Sequence, residues 1–228
     1  MFKKIGLVLT CLVLTACTTT NTKVATGLPD KPPAGARILL MRPDVSLSEL
    51  NAAGIDVPKA EWNETSRANL TEAIQASLKA KAHSFSAMDP SASMTGRTGQ
   101  ILRLNEAVTN SIALFGMGAI ALPTKKTFDW TLGPGTRELK ASQNADYALF
   151  IHSHGNWSSG GRQAARVLLA IGGVSLPPAM QLAQASLVDL ETGRIVWSNY
   201  TVAGPTADQR TAAGAKILVE SLLKDIPL

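Results

Sequence analysis

Two histidines, His152 and His154, stand two residues apart in an apolar stretch. On a strand such residues point to one face, so the pair could share a metal ion. A metal site needs a third ligand, and only His83 and scattered carboxylates are on hand, none at a diagnostic spacing. Close by, Ser158-Ser159-Gly160-Gly161-Arg162 could offer backbone N–H groups and a guanidinium to an anion at a helix start. Trp157 precedes it and reads as an aromatic exposed at a loop tip. Residues 116–121 imitate a dinucleotide-binding G-x-G-x-x-A turn, but the match sits at the end of a helical pattern and Pro123 follows at once. Ser221-Leu-Leu-Lys224 has the spacing of an acyl-transfer S-x-x-K motif without its companion motifs, and Leu222 belongs to an apolar stripe. No G-x-S-x-G occurs, and no carboxylate pair stands out as a hydrolytic dyad. The expectation is a protein that is not an enzyme and has no cofactor, with Trp157, Ser158, Ser159 and Arg162 as the interaction loop and His152 and His154 as the remaining metal candidates.

The elements that must position these residues are legible in outline. Arg37 to Met41 is a short apolar run between Gly35 and Pro43, hence a strand. Residues 43–61 read as irregular, broken by Pro43, Gly54 and Pro58. Asn63 is placed to cap a helix through Ala82, with Leu70, Ile74 and Leu78 stacked at i+4. A weaker strand spans His83 to Met88. A second helical stripe, Ile101, Leu104, Val108, Ile112 and Phe115, runs into an all-round apolar stretch, Ile112 to Leu122. A short helix fits residues 136–142. Asp146 to Ser153 is apolar and β-leaning, the expected centre of the sheet. Arg162 to Ile171 reads as a helix ended by Gly172-Gly173. Met180 to Leu190 and Arg194 to Val202 form a hairpin with Gly193 at its turn, on which Trp197 reads as half-buried. Thr206 to Gln209 resembles a capping box, followed by the stripe Ala215, Leu218, Val219, Leu222 and Ile226. The order predicts a single α/β domain over 37–228, a mixed sheet flanked by helices with an antiparallel edge hairpin.

The totals exclude several classes. The chain has 228 residues, enough for one well-cored domain and processing segments. Its sequence pI near 9.4 comes from scattered charge, with Lys125-Lys126 the longest basic cluster, so no nucleic-acid partner is expected. Residues 1–16 combine Lys3 and Lys4 with a short apolar run, a secretory signal too short to span as a helix. Leu14-Thr15-Ala16-Cys17 resembles a bacterial lipobox, which implies lipidation at Cys17. Cys11 leaves with the signal, so the mature domain has no disulfide and no thiol chemistry. Thr at position 18, rather than Asp, resembles the sorting signal for the outer membrane. Residues 17–36 are then the lipidated Cys and a flexible tether, rich in Thr, Pro and Gly, reaching about 20–25 Å.

Ala145-Asp-Tyr-Ala-Leu-Phe150 and Ser186-Leu-Val-Asp-Leu-Glu-Thr-Gly-Arg-Ile-Val-Trp-Ser-Asn199 resemble a group of envelope lipoproteins whose domain is similar to the TolB N-terminal domain. That group includes the curli secretion lipoprotein and the LpoB-type activators of penicillin-binding proteins. The resemblance implies a TolB N-terminal-like fold and a role through protein contact. The leading expectation is a lipid-anchored, periplasm-facing binding or scaffold module at the outer membrane, with an envelope protein as partner. The alternative is a homo-oligomeric secretion or transport component built on the apolar segments 112–122 and 167–176. A metal-dependent hydrolase centred on His152 and His154 ranks third.

Overall fold

A computed structural model describes residues 18–26, 32–33, 35–81, 84–89, 95–116 and 120–228. The signal segment, Cys17 and His83 lie outside the described residues. The chain folds as an α/β domain, a mixed eight-stranded sheet with helices on both faces. Its strands are β1 (Thr19–Val24), β2 (Ile38–Met41), β3 (Asp44–Leu50), β4 (Asp56–Pro58), β5 (Phe85–Met88), β6 (Tyr147–Ser158), β7 (Gln181–Asp189) and β8 (Ile195–Ala203). Its helices are α1 (Ala60–Ala80), α2 (Gly96–Ser111), α3 (Arg137–Gln143), α4 (Gly160–Ile171) and α5 (Ala212–Leu222). The main order is β1-β8-β7-β6-β2-β5, with β3 also on β6 and β4 on β3.

β6 is the centre, as its composition predicts, and it is longer than expected. Its first half pairs in parallel with β2 and its second half with β3. The partner Leu40 faces Leu149 and Asp44 faces His152, so β2–β3 carries one more residue than β6 between those points. The extra residue is a bulge at Arg42-Pro43, where proline has no N–H to give the ladder. Pro43 therefore bends a continuing strand. The 43–61 region, expected to be irregular, holds β3, β4 and the start of α1. Gly54 takes φ +84° in the β3–β4 connection.

The two faces of β6 alternate with period two. Leu149 and Ile151 join Leu70, Ile74 and Leu78 of α1 and Leu218 and Leu222 of α5 in one core. Ala148 and Phe150 join Ile101 of α2 and Leu139 of α3 in the other. Asn63 does not cap α1; its Oδ1 accepts the backbone N–H of Leu47 at 2.7 Å and so ties the helix to β3. The buried stripe of α2 is Ile101, Asn105 and Thr109, with Leu104 exposed, one position away from the apolar stripe read from sequence. α2 continues into a single π-helical turn, Ile112–Gly116, in which Ile112 is buried.

The residues that the resemblance rests on are tied into the frame. Asp146 accepts from the Arg37 backbone N–H at 3.0 Å and from its guanidinium at 3.2 and 3.1 Å, fixing the start of β2 beside β6. The β7–β8 turn is closed by Asp189, which accepts from the Glu191 N–H at 2.8 Å and the Thr192 hydroxyl at 2.9 Å, with Gly193 at φ +75°. Trp197 is fully buried, not half-buried as expected.

The expected edge hairpin is not at the edge. Thr19–Val24, expected within the flexible tether, is β1, antiparallel to β8 from Thr19 opposite Val202 to Val24 opposite Trp197. The physical reason is the open row of N–H and C=O groups along β8, which a Thr- and Val-containing segment can satisfy.

A cleft built from Trp62, Trp157 and Arg210

Three distant segments meet at one end of the sheet. The first turn of α1 carries Trp62, the end of β6 carries Trp157, and the segment before α5 carries Arg210. That segment is clamped from below. Gln181 Nε2 donates to the Ala207 carbonyl at 2.7 Å, Gln181 Oε1 accepts from the Gln209 N–H at 3.2 Å, and the Ser153 hydroxyl donates to Gln209 Oε1 at 2.9 Å. Gln209 is thus a buried clamp rather than part of a capping box; Thr211 caps α5, accepting from the Gly214 N–H.

The rings of Trp62 and Trp157 meet edge to face, 5.9 Å between centroids at 81°. The Arg210 guanidinium lies 4.5 Å from the first centroid and 4.2 Å from the second. Each such contact contributes on the order of 0.5–1 kcal/mol or more as water is excluded. Asp208 grips the same guanidinium at 3.0 and 2.7 Å. Burial pushes the Asp208 carboxyl up, but its bonds to the Arg210 side chain and backbone outweigh this and hold it below the usual carboxylate range.

Beside this lock opens a cleft of about 820 Å³ between the body and α4, lined by Glu49, both tryptophans, Arg166, Val167 and Arg210 among others. Its charges are unequal. Glu49 is paired with Lys59 at 2.7 Å and Arg210 with Asp208, whereas Arg166 has no ion-pair or hydrogen-bond partner among the described residues. The cleft therefore presents one uncompensated cation next to apolar Val167 and Ala170.

The expected interaction loop divides here. Trp157 is on a strand and half-buried against Trp62, not exposed at a loop tip. Ser158 and Ser159 line the cleft, and Ser159 caps α4 by accepting the Arg162 N–H at 3.2 Å. Arg162 turns away: it is 8% exposed and lies against Gly54, so its guanidinium is not aimed at an anion held by that helix start. Trp62 and Arg210 escaped the sequence reading because each comes from a different element and neither has a local motif.

His152 and His154 do share a face of β6, but they are engaged separately. His152 Nε2 meets Asn105 Nδ2 at 2.8 Å, and its Nδ1 lies 3.4 Å from Asp44. His154 is exposed, and partial desolvation first, then the His152 charge, holds its imidazole below the ordinary value. Among the described residues no group of three His, Cys, Asp or Glu gathers to hold a metal. A second crevice of about 370 Å³ opens beside His152, at the point where the crossovers from β2 change face. Two of its arginines, Arg42 and Arg67, are already matched, by Asp89 at 2.9 Å and Glu64 at 2.5 Å.

The Asp44–His152 contact gives a pH signature. The His152 hydrogen bond lowers the Asp44 carboxyl, partial burial opposes it, and the charges of His152 and Arg67 add to the lowering. A depressed carboxyl stabilises the fold above its ordinary value, near pH 4, and the contribution is lost as pH falls through the depressed one. Asp44→Asn is expected to flatten the acid limb of stability, with urea unfolding across acid pH as the check. Parallel pH curves for the two proteins would contradict the contact.

No family model matches the chain, and no curated protein is similar to it. Among solved structures, a PelC dodecamer from Paraburkholderia phytofirmans is similar at a TM-score of 0.41 and 12% identity, covering 92% of this chain and 98% of that one. A variant of the same PelC, also a dodecamer, is similar at a TM-score of 0.40 and 13% identity, covering 92% of this chain and 99% of that one.

Proposed function

We propose that this chain is a lipid-anchored, non-catalytic binding module of the bacterial envelope, TolB N-terminal-like in layout, anchored to the outer membrane through Cys17 and facing the periplasm. Its contact site is the cleft between α4 and the Trp62–Trp157–Arg210 lock. The observation that carries this reading is Arg166, an unmatched cation beside apolar side chains in a cleft large enough for several residues of a partner. The lipobox-like Leu14 to Cys17 supports the anchor. The fitting occupant is an extended segment of an envelope protein, with a carboxylate for Arg166 and an apolar side chain against Val167 and Ala170.

A photo-crosslinking residue at Gln163 is expected to capture that protein in cells, and Arg166→Glu is expected to abolish most of the adduct by setting like charges against each other. An adduct of undiminished yield in Arg166→Glu would reject the cleft as the contact site. Light scattering of the purified chain addresses the oligomeric secretion or transport alternative: a monodisperse monomer fits the binding module, and a large closed oligomer favours the alternative.

A further inference from the structure

The two ends of the sheet differ in chemistry. The end holding Tyr147 and Asp189 carries exposed ion pairs: Arg37 with Asp146, and Arg137 and Lys140 with Glu191. At the opposite end α4 and its return to β7 stand away from the body. Val167, Leu168 and Ile171 of α4 are 65%, 69% and 82% exposed, and Val174 and Met180 after it are half exposed. Ile55, 61% exposed, sits at the same end, because Leu50 pairs with Ser158 and the β3–β4 connection follows. The helix has a divided character. Gln163, Arg166, Val167 and Ala170 face the cleft, whereas Leu168 and Ile171 are absent from its lining. α4 contains no acidic residue.

β1 states which surface meets that end. Thr19 lies opposite Val202, Val202 opposite Leu182, and Leu182 opposite His154, so the start of β1 is at the α4 end of the sheet. Only Thr18 separates Cys17 from that strand. Three strand spacings, about 14 Å, separate β1 from β6 across the sheet. An acyl chain on Cys17 therefore brings the bilayer to the same end as the exposed apolar helix, with almost no slack between them.

We infer that the outer face of α4 is a membrane-docking surface, with Leu168 and Ile171 inserted at the headgroup boundary of the bilayer that holds the Cys17 lipid. The inference rests on the anchor in the proposed function and goes beyond it: the domain has one fixed orientation, sheet end down, rather than hanging from a leash. A helix with one apolar face and no acidic residue suits this interfacial position, at a depth of about 5–10 Å. The cleft then opens at the membrane surface.

The test uses the full lipidated chain in vesicles of phosphatidylethanolamine and phosphatidylglycerol. Cys11 is removed with the signal and the Cys17 sulfur is consumed by the lipid, so Ile171→Cys supplies a single thiol for a nitroxide label. Lys81→Cys, exposed after α1 at the opposite end, supplies the reference. The expected result is an oxygen-to-nickel-chelate collision ratio several-fold higher at Ile171 than at Lys81, unchanged when protein is diluted in lipid. A lipidated chain whose Ile171 label remains as nickel-accessible as Lys81 overturns docking alone. Shielding that disappears on dilution assigns the face to a second copy of the chain and also overturns it. A mass spectrum showing no lipid on Cys17 overturns the anchor, and the docking with it.

Discussion

Trp197→Ala is expected to lower the unfolding free energy by about 3–5 kcal/mol, the usual cost of emptying a large buried aromatic site. Trp197 is fully buried on β8, opposite Leu187 of β7, and it packs in the core shared with α1 and α5. In a domain of this size each kcal/mol moves the melting temperature by about 2–4 °C, so the fall is on the order of 10 °C. Urea unfolding and thermal melts measure it directly. Among the described residues the indole N–H has no hydrogen-bond partner, so Trp197→Phe removes an unsatisfied donor along with some packing and is expected to cost well under half as much. Near-equal losses for the two variants would show that the indole N–H is bonded in solution.

The second large effect reverses a rule. Glycine inside a helix ordinarily costs about 0.5–1 kcal/mol relative to alanine, so Gly214→Ala in α5 should stabilise on propensity alone. A Cβ there would lie 2.1 Å from the Asp208 carbonyl oxygen and 2.6 Å from its carbon, both backbone atoms. That backbone cannot retreat easily, because Gln181 and Gln209 clamp the preceding turn and Asp208 grips Arg210. Overpacking of this kind costs about 1–3 kcal/mol or more, which outweighs the propensity gain. Gly160→Ala is the matched control: it lies at the start of α4 with nothing within 4 Å of its Cβ position. Gly160→Ala is expected to leave stability unchanged or raise it, while Gly214→Ala lowers it and loosens the Arg210–tryptophan lock, read as a change in tryptophan fluorescence. A stabilised Gly214→Ala would mean that α5 is free to slide from the turn.

What the sequence made legible was local. The β6 core, the Asp189–Gly193 turn and the α5 stripe each depend on a period or a turn residue within a short window, and all three stand where their residues point. The misses share another cause, tertiary pairing overriding local signs. Pro43 and Gly54 carry breaker chemistry, yet β6 offers a partner edge long enough to hold β3 through a bulge. The stripe of α2 is turned by one position because Asn105 is drawn inward to meet His152. The tether-like composition of residues 18–26 conceals a strand whose partner, β8, is the last strand of the chain. The cleft was half legible: Trp157, Ser158 and Ser159 lie in it, but Trp62 and Arg210 come from elements with no sequence proximity. Arg162 was mistaken because a helix-starting arginine gives no sign of which side it will turn to.

The pairing of β1 with β8 also sets an order of events in time. The ribosome delivers residues 19–24 well before residues 195–203. β1 is thus made long before its partner, and its closure is a long-range step of the kind that slows folding. Until it closes, β8 shows a bare edge and the newborn amino-terminal segment has nothing to pair with, the period in which strand-to-strand aggregation between chains is most favourable.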